Sequence, residues 1–482
     1  MSIFSISPTF NKDKIFILQK SELEKRLDAE YYTPSLVALE KKVMAKNPKK
    51  LREYVLSMAS GATPKTTESE LYYTNKENGK PFLRVQNLSP TGILEFDDCK
   101  YINETTHSGM LKRSQVFGND LLVKITGVGR MAVASVAPDG FTGNINQHVC
   151  VIKTGSKEIS KTLAAFLNSD IGEKLASRRS AGGTRPALDY PALLSIPIIE
   201  DKRILQITSK VIEQKQKNEV EAEKQLSSIE GYLLKELGIT LPEQSENILK
   251  NRIFVSSLGQ LSGNRLDPFY YSISFNDLID RIYKSKFKID KLGSICNNID
   301  TGKTPPKSAY LESDEQDILP VIKAGSYTGD FIDIEKSDFV KSDFSGNTVS
   351  KGDIFILGAA HQAEYVGKKV YYLNEIPKQK TFFVGELVRI SANPNKCDSS
   401  FLFSLLKTKL YMALLNREKR GQTSHLYPND VKHIFIPVPP LDKQREIAEH
   451  ISDIRKQAQT LKDKTKEALK KASEEIERIL LL

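Results

Sequence analysis

The sequence predicts an α+β fold: two duplicated globular α/β domains separated by two long helices that form an antiparallel coiled coil, with pseudo-twofold symmetry. Three observations predict it. Short motifs recur in one order at offsets of roughly 233 to 241 residues, about half of the 482-residue chain. Each half opens with short apolar runs cut by Gly, Pro, Asn and Asp, which read as strands joined by turns. Each half closes on a long segment with helical apolar spacing and no proline inside.

The echoes are individually short. Arg26-Leu27-Asp28 with Tyr31-Tyr32 returns as Arg265-Leu266-Asp267 with Tyr270-Tyr271. Gly61-Ala62-Thr63-Pro64-Lys65 returns as Gly302 to Lys307, and Gly118-Asn119-Asp120 as Gly352-Asp353. Thr184, Tyr190 and Ile196-Pro197-Ile198 return as Thr423, Tyr427 and Ile436-Pro437-Val438. A period this long means that whole domains repeat, not solenoid units. The layout is 1–200 for the first domain, 201–240 for the first helix, 241–440 for the second domain and 441–482 for the second helix.

Asp120 to Ile125, Val149 to Ile152, Asp353 to Leu357 and Glu386 to Ile390 read as strands. Lys161 to Ser177 and Ser399 to Asn416 read as helices. The second long helix starts after Pro439-Pro440, with Asp442 as N-cap. Ile447, Ile451, Ile454, Ala458, Leu461, Thr465, Ala468, Ala472 and Ile479 follow a heptad track, with Ile476 just off it. The first helix carries Ile204, Ile207, Val211, Ala222, Leu226, Ile229 and Leu233, interrupted by Gln214 and Asn218. A heptad seam needs a partner, and the other helix is at hand; about 36 residues make a rod of roughly 54 Å. The plainer alternative is that these helices only connect or cap domains.

Composition excludes several classes. Hydrophobic residues make up 39% and charged residues 27%, ordinary for a globular protein. No run is apolar enough to span a membrane, and Met1 to Phe10 lacks the features of a secretory signal. Cys99, Cys150, Cys296 and Cys397 lie far apart, which argues against zinc or a disulfide framework and fits a reducing cytoplasm. Net charge is +10, of which residues 1–200 carry +6 and residues 241–440 carry +3. A polyanionic partner would therefore be held by the globular regions.

No catalytic signature emerges. Gly302-Lys303-Thr304 resembles the end of a phosphate-binding loop, but position 297 is Asn where that loop needs Gly. Gly127-Val128-Gly129 is a fragment of a nucleotide-type glycine loop. The proline pairs at 305–306 and 439–440 lack the acid or amide and the aromatic of an amino-methyltransferase motif. The six histidines show no metal spacing, and GxSxG is absent. The expectation is no catalytic residue and no metal site.

What stands out is a pair of matched basic loops. Arg178, Arg179, Thr184 and Arg185 lie in the first, and Arg417, Lys419, Arg420, Gln422, Thr423, Ser424 and His425 in the second. Guanidinium and ammonium groups bind phosphate, glycines allow close approach, and Gln, Ser and Thr can read base edges. A helix C-terminus dressed with basic residues is the structural alternative. Lys65, Lys303 and Lys307 in the Gly-Thr-Pro turns join the candidate DNA-binding set, although such turns are often only turns. His361 and Gln362 in the polar loop Gly358 to Tyr365, and Arg84, Gln86 and Asn87 after a strand-like run, complete it. Thr184, Gln422 and Ser424 are expected as base readers more than the arginines, because phosphate contact needs charge more than geometry.

With these residues in view, the chain resembles the specificity subunit of a type I restriction–modification system. The resemblance rests on the two-domain, two-helix layout and on the junction Ile434-Phe435-Ile436-Pro437-Val438-Pro439-Pro440-Leu441-Asp442-Lys443-Gln444-Arg445-Glu446-Ile447, preceded by Gly421 to Tyr427. The first junction, Ser195 to Asp201, lacks the double proline. The resemblance implies two target-recognition domains, each reading half of a split double-stranded DNA site. It implies helices that set the spacer and dock two methyltransferase subunits, through which restriction–translocase subunits join. S-adenosylmethionine, ATP and magnesium would be used by those partner subunits, with no cofactor in this chain and no enzyme activity of its own. A coiled-coil scaffold that binds only proteins, or a diverged DNA methyltransferase, are the alternatives.

Overall fold

The computed structural model describes residues 10–24, 26–242, 253–255, 257, 259, 261, 265–312, 317–360, 362–421 and 424–481. It is a mixed helix and strand protein of two compact units: Met1–Glu219 with Lys462–Leu482, and Val220–Leu461. The helices Lys202–Leu237 and Leu441–Leu481 each contribute one part to either unit.

In the first unit the strands Ser57–Ser60, Val149–Lys153, Leu121–Lys124 and Ala134–Val136 form one antiparallel sheet in that order. Leu121–Lys124 is buried along its whole length: Leu121, Leu122 and Val123 form an apolar run, and the Lys124 ammonium donates to the carbonyls of Val128 and Arg130. A second sheet pairs Lys80–Leu83 in parallel with Thr142–Ile145. The ribbon Lys49–Lys50 with Pro197–Ile198 ties the start of the domain to its end. The core gathers around Leu121, Val123, Ile152, Leu163, Phe166 and Leu175.

The second unit has the same order of parts. Cys296–Thr301, Leu387–Ala392, Ile354–Leu357 and Val370–Tyr372 are neighbours in one sheet. Ile318–Ile322 pairs in parallel with Phe382–Phe383, and Lys288–Lys291 pairs with Phe435–Val438. Its larger core includes Ile354, Ile356, Phe401, Phe403 and Tyr411.

Each single helix expected at 161–177 and 399–416 is in fact two. Lys157–Leu167 is followed by Asp170–Arg179, and Ser399–Leu406 by Lys409–Arg417. The reason is local: Ser169 and Thr408 turn away from helical geometry and cap a new helix, accepting from the backbone N–H of Gly172 and Tyr411.

Within each unit the two long helices run antiparallel. In the first, Ile204 shares a core with Ile476 and Leu480, while Asn218 Nδ2 donates to Thr465 Oγ1 at 2.9 Å. In the second, Tyr232 packs on His450 and Glu236 pairs with Lys443 at 2.8 Å. The polar break at Gln214 and Asn218 is thus a buried cross-helix hydrogen bond, a device that favours one register. Near the C-terminus the heptad track shifts: Ile476 and Leu480 are buried, whereas Ile479 is only half-buried.

Candidate nucleic-acid interface

In the second unit three separate sequence motifs meet at one end of the main sheet. The turn after Thr301, the loop after Leu357 and the residues before Leu387 share that end because Thr301 pairs with Val388 and Leu357 with Leu387. Backbone bonds lock them: Lys303 N–H donates to Phe383 O at 3.0 Å, Gly358 N–H to Glu386 O at 2.8 Å, and Leu426 N–H to Gly358 O at 2.9 Å. Thr304 Oγ1 donates to Glu386 Oε2 at 2.9 Å. The result is a cleft of about 950 Å³ lined by Thr304, Tyr310, Lys323, Gln362, Tyr365, Lys369, Glu386 and His425. Lys369 Nζ lies 4.8 Å from the Tyr365 ring centre, and His425 stacks near Tyr427. Flat aromatic faces, hydrogen-bonding tips and cations together suit nucleic acid better than an apolar ligand.

The first unit repeats this arrangement. Gly61 N–H donates to Asn146 O at 3.2 Å, Ile125 N–H to His148 O at 2.9 Å, and Leu188 N–H to Ile125 O at 2.8 Å. Thr63 hydrogen-bonds Gln147 as Thr304 bonds Glu386. Gly61 and Gly302 are needed for this closure. A Cβ added at Gly61 would lie 1.7 Å from Ile145 O, and one at Gly302 would lie 1.9 Å from Phe383 O.

The candidate residues divide sharply. Lys65, Lys303 and Lys307 are exposed in their turns, although Lys65 sits 3.6 Å from Glu68. Thr184 and Arg185 are exposed at the tip of a hairpin closed by Ala181 and Ala187. Arg420 is exposed beside Asp430, with which it pairs. Lys419 lies with Lys368, Arg420 and Ser424 in an adjoining cleft of about 760 Å³, and burial lowers its pKa. Ser424 adopts φ +50° and His425 bridges back to Arg420. Gln362 is exposed; His361, Gln422 and Thr423 lie outside the described residues.

Four candidates are placed elsewhere. Arg178 and Arg179 are buried and both pair with Glu40 on the helix Pro34–Met44. Arg178 Nε also donates to Tyr31 O at 2.7 Å with its guanidinium 4.0 Å from the Tyr31 ring centre. Arg417 repeats this on Tyr270, at 2.9 Å and 3.8 Å, and pairs with Glu418 at 3.2 Å. Burial pushes the Glu418 carboxyl above its ordinary pKa, against the pull of Arg417 and Arg265. Asn87 is buried, accepting from Arg84 N–H and donating to Glu95 O. These four side chains hold the fold together and are withdrawn from a DNA surface.

Arg84 and Gln86 are intermediate cases. Gln86 Nε2 and Arg84 Nη2 both donate to Asp98 Oδ2, at 2.9 Å and 3.0 Å. The Gln86 hydrogen bond and then the Arg84 charge hold Asp98 below the usual carboxylate range.

The repeated Arg-Leu-Asp motif explains the buried arginines. Arg26 donates to the carbonyls of Arg179 and Ser180, and Arg265 to those of Arg417, Glu418 and Lys419. Each therefore caps the orphan carbonyls of a helix end while Asp28 or Asp267 orients it. Sequence reasoning recorded the echo but did not connect it to a helix about 150 residues away. It also missed Gln147, Glu386, Tyr310, Lys323, Tyr365 and Lys369, which carry no motif of their own.

Residues 284–471 match the family model of the type I restriction modification DNA specificity domain. Those residues are similar to that domain. The match spans the second cleft and much of the second long helix. No curated protein matches the chain. Among solved structures, the type I restriction-modification S subunit of M. genitalium is similar at 14% identity, covering 90% of this chain and 94% of that one, with a TM-score of 0.41. A structure described as the basis of complex assembly and conformational transition of the type I R-M system is similar at 16% identity, 90% and 95% coverage, and TM-score 0.43. The HsdS subunit of Thermoanaerobacter tengcongensis is similar at 17% identity, 90% and 94% coverage, and TM-score 0.33. Among the described residues no helix is long and apolar enough to cross a membrane.

Proposed function

We propose that the chain is the sequence-specificity subunit of a type I restriction–modification complex, with each unit reading one half of a bipartite DNA site. The observation that carries this is the convergence, in both units, of turn, loop and hairpin on the same end of the same sheet. Loops on a rigid sheet end can be varied without disturbing the core, which suits a surface that must recognise different sequences. Charge supports the reading, because the net excess lies in residues 1–200 and 241–440. In this reading the two long helices set the spacer between half-sites, and the chain is a tandem duplicate with pseudo-twofold symmetry. The same helices dock two methyltransferase subunits, and restriction–translocase subunits join through those. S-adenosylmethionine, ATP and magnesium belong to those partners.

The test is competition binding by the assembled methyltransferase over a panel of single-base variants. Arg185→Ala and Lys303→Ala should leave folding intact. Each should lower the salt slope of binding by about one unit if its contact is to phosphate, or relax one base position if it is to a base. Any relaxation should stay within the half-site of the altered unit. Unaltered affinity, slope and selectivity in both variants would refute this interface.

A further inference from the structure

We propose that Val128 is a specificity-determining residue that reads a thymine through its C5-methyl group; the proposal rests on the base-reading surface above. Val128 is 77% exposed, on a segment between the strands Leu121–Lys124 and Ala134–Val136. A lone exposed valine ordinarily means nothing. Here the backbone that carries it is held from several sides.

Gly127 and Gly129 adopt φ values of +125° and +80°, which valine or any β-branched residue would resist. The two glycines therefore set the backbone path on either side of Val128, whose side chain is exposed. Beneath it lies Lys124, only 5% exposed, whose ammonium donates to Val128 O at 2.8 Å and Arg130 O at 2.9 Å. Burying an ammonium is costly, and these two carbonyls are the hydrogen-bond partners that offset it. At the far end Arg130 pairs with Asp170 at 2.8 Å. On the near side Gly127 N–H donates to Pro186 O at 3.0 Å, and Thr126 bridges Ala187. The loop thus stands beside the hairpin whose tip carries Thr184 and Arg185.

This is a preorganised platform that offers an apolar group next to polar and cationic ones. On the major-groove edge of DNA the apolar group is the thymine methyl. Valine is short and stiff at χ1, which suits surface contact with a methyl and is too short a wedge to part a base step. The hairpin would supply charge and hydrogen bonds, and Val128 the apolar discrimination.

The experiment uses the assembled methyltransferase and the half-site that methylation mapping assigns to the first unit. Each thymine of that half-site is replaced in turn by deoxyuridine, which removes only the methyl. We expect one replacement to weaken binding about threefold to fivefold, the value of a buried methyl-sized group. Val128→Ser and Val128→Asn, which carry no methyl group, should bind the thymine and uracil duplexes nearly equally. Absence of any methyl-sensitive position, or an undiminished response in both variants, overturns the role of Val128. If sequence discrimination in that half-site persists, the base-reading surface survives that loss; if the first unit discriminates no sequence at all, the surface itself is wrong.

Discussion

The helix Asp170–Arg179 in the first unit ends on two arginines, whereas Lys409–Arg417 in the second ends on one arginine followed by Glu418. The neighbouring helix compensates. Glu40 on Pro34–Met44 pairs with both Arg178 and Arg179, and the matching position on Ile273–Tyr283 is Ile279. In the second unit the carboxylate has moved onto the helix end itself, where Glu418 faces Arg417 and Arg265 at 3.2 Å and 3.8 Å. Both units bury guanidinium groups over a tyrosine, and both neutralise them. A buried cation needs a carboxylate, but not from one fixed position. Two exchanges made together preserve the site, while either alone would leave a buried charge unpaired.

The largest effect that can break this comparison is at Glu40. Glu40→Gln should cost about 3–5 kcal/mol in denaturant unfolding, because two mostly buried arginines lose their partner. The double variant Glu40→Ile, Arg179→Glu copies the second unit and should recover most of that loss. If it recovers nothing, the two helix ends are not equivalent.

Next come the close-approach glycines. Gly61→Ala and Gly302→Ala each place a Cβ within 2 Å of a carbonyl oxygen, so something must move. Overpacking of this kind should cost about 1–3 kcal/mol or more at either site, read as a lowered unfolding midpoint. Tolerance at one glycine and not the other would sharpen the comparison, by showing that one turn can shift and its counterpart cannot.

The smallest effect is in acid. Hydrogen bonds from Arg26 and Arg265 hold Asp28 and Asp267 below the usual carboxylate range. The folded state therefore favours the ionised form. The stability this contributes is present above the unfolded value of about 3.9 and is lost as pH falls through the lower folded value. Both carboxylates are nearly half exposed, so solvent screens them and the contribution is modest. Asp28→Asn and Asp267→Asn should flatten the fall in unfolding midpoint below about pH 4. An unchanged acid profile in both would remove these pairs from the helix-end clamp.

Much of the fold was legible in residue order. The strands at 121–124, 149–153, 354–357 and 387–392 are built on short, mainly apolar runs, and the long helices carry their own heptad spacing. The candidate site was legible only in part. Gln362 and His425 stood out singly and do line one cleft, but Arg178, Arg179 and Arg417 stood out for the wrong reason. An arginine at a helix end looks solvent-facing until its distant carboxylate and tyrosine are found.

By itself the sequence determined what periodicity and local chemistry encode: which segments are strands, where the long helices lie, and that motifs recur in order. Those signals are short-range, because side chains alternate every two residues in a strand and return every three to four in a helix. Tertiary structure alone decided which basic residues face solvent and which are spent inside. It brought Glu40 to Arg178, Thr63 to Gln147 and Arg130 to Asp170, pairings that depend on chain crossings and not on spacing. Whether a charge is buried depends on what the fold places within a few ångströms of it, and local sequence spacing does not encode that distance.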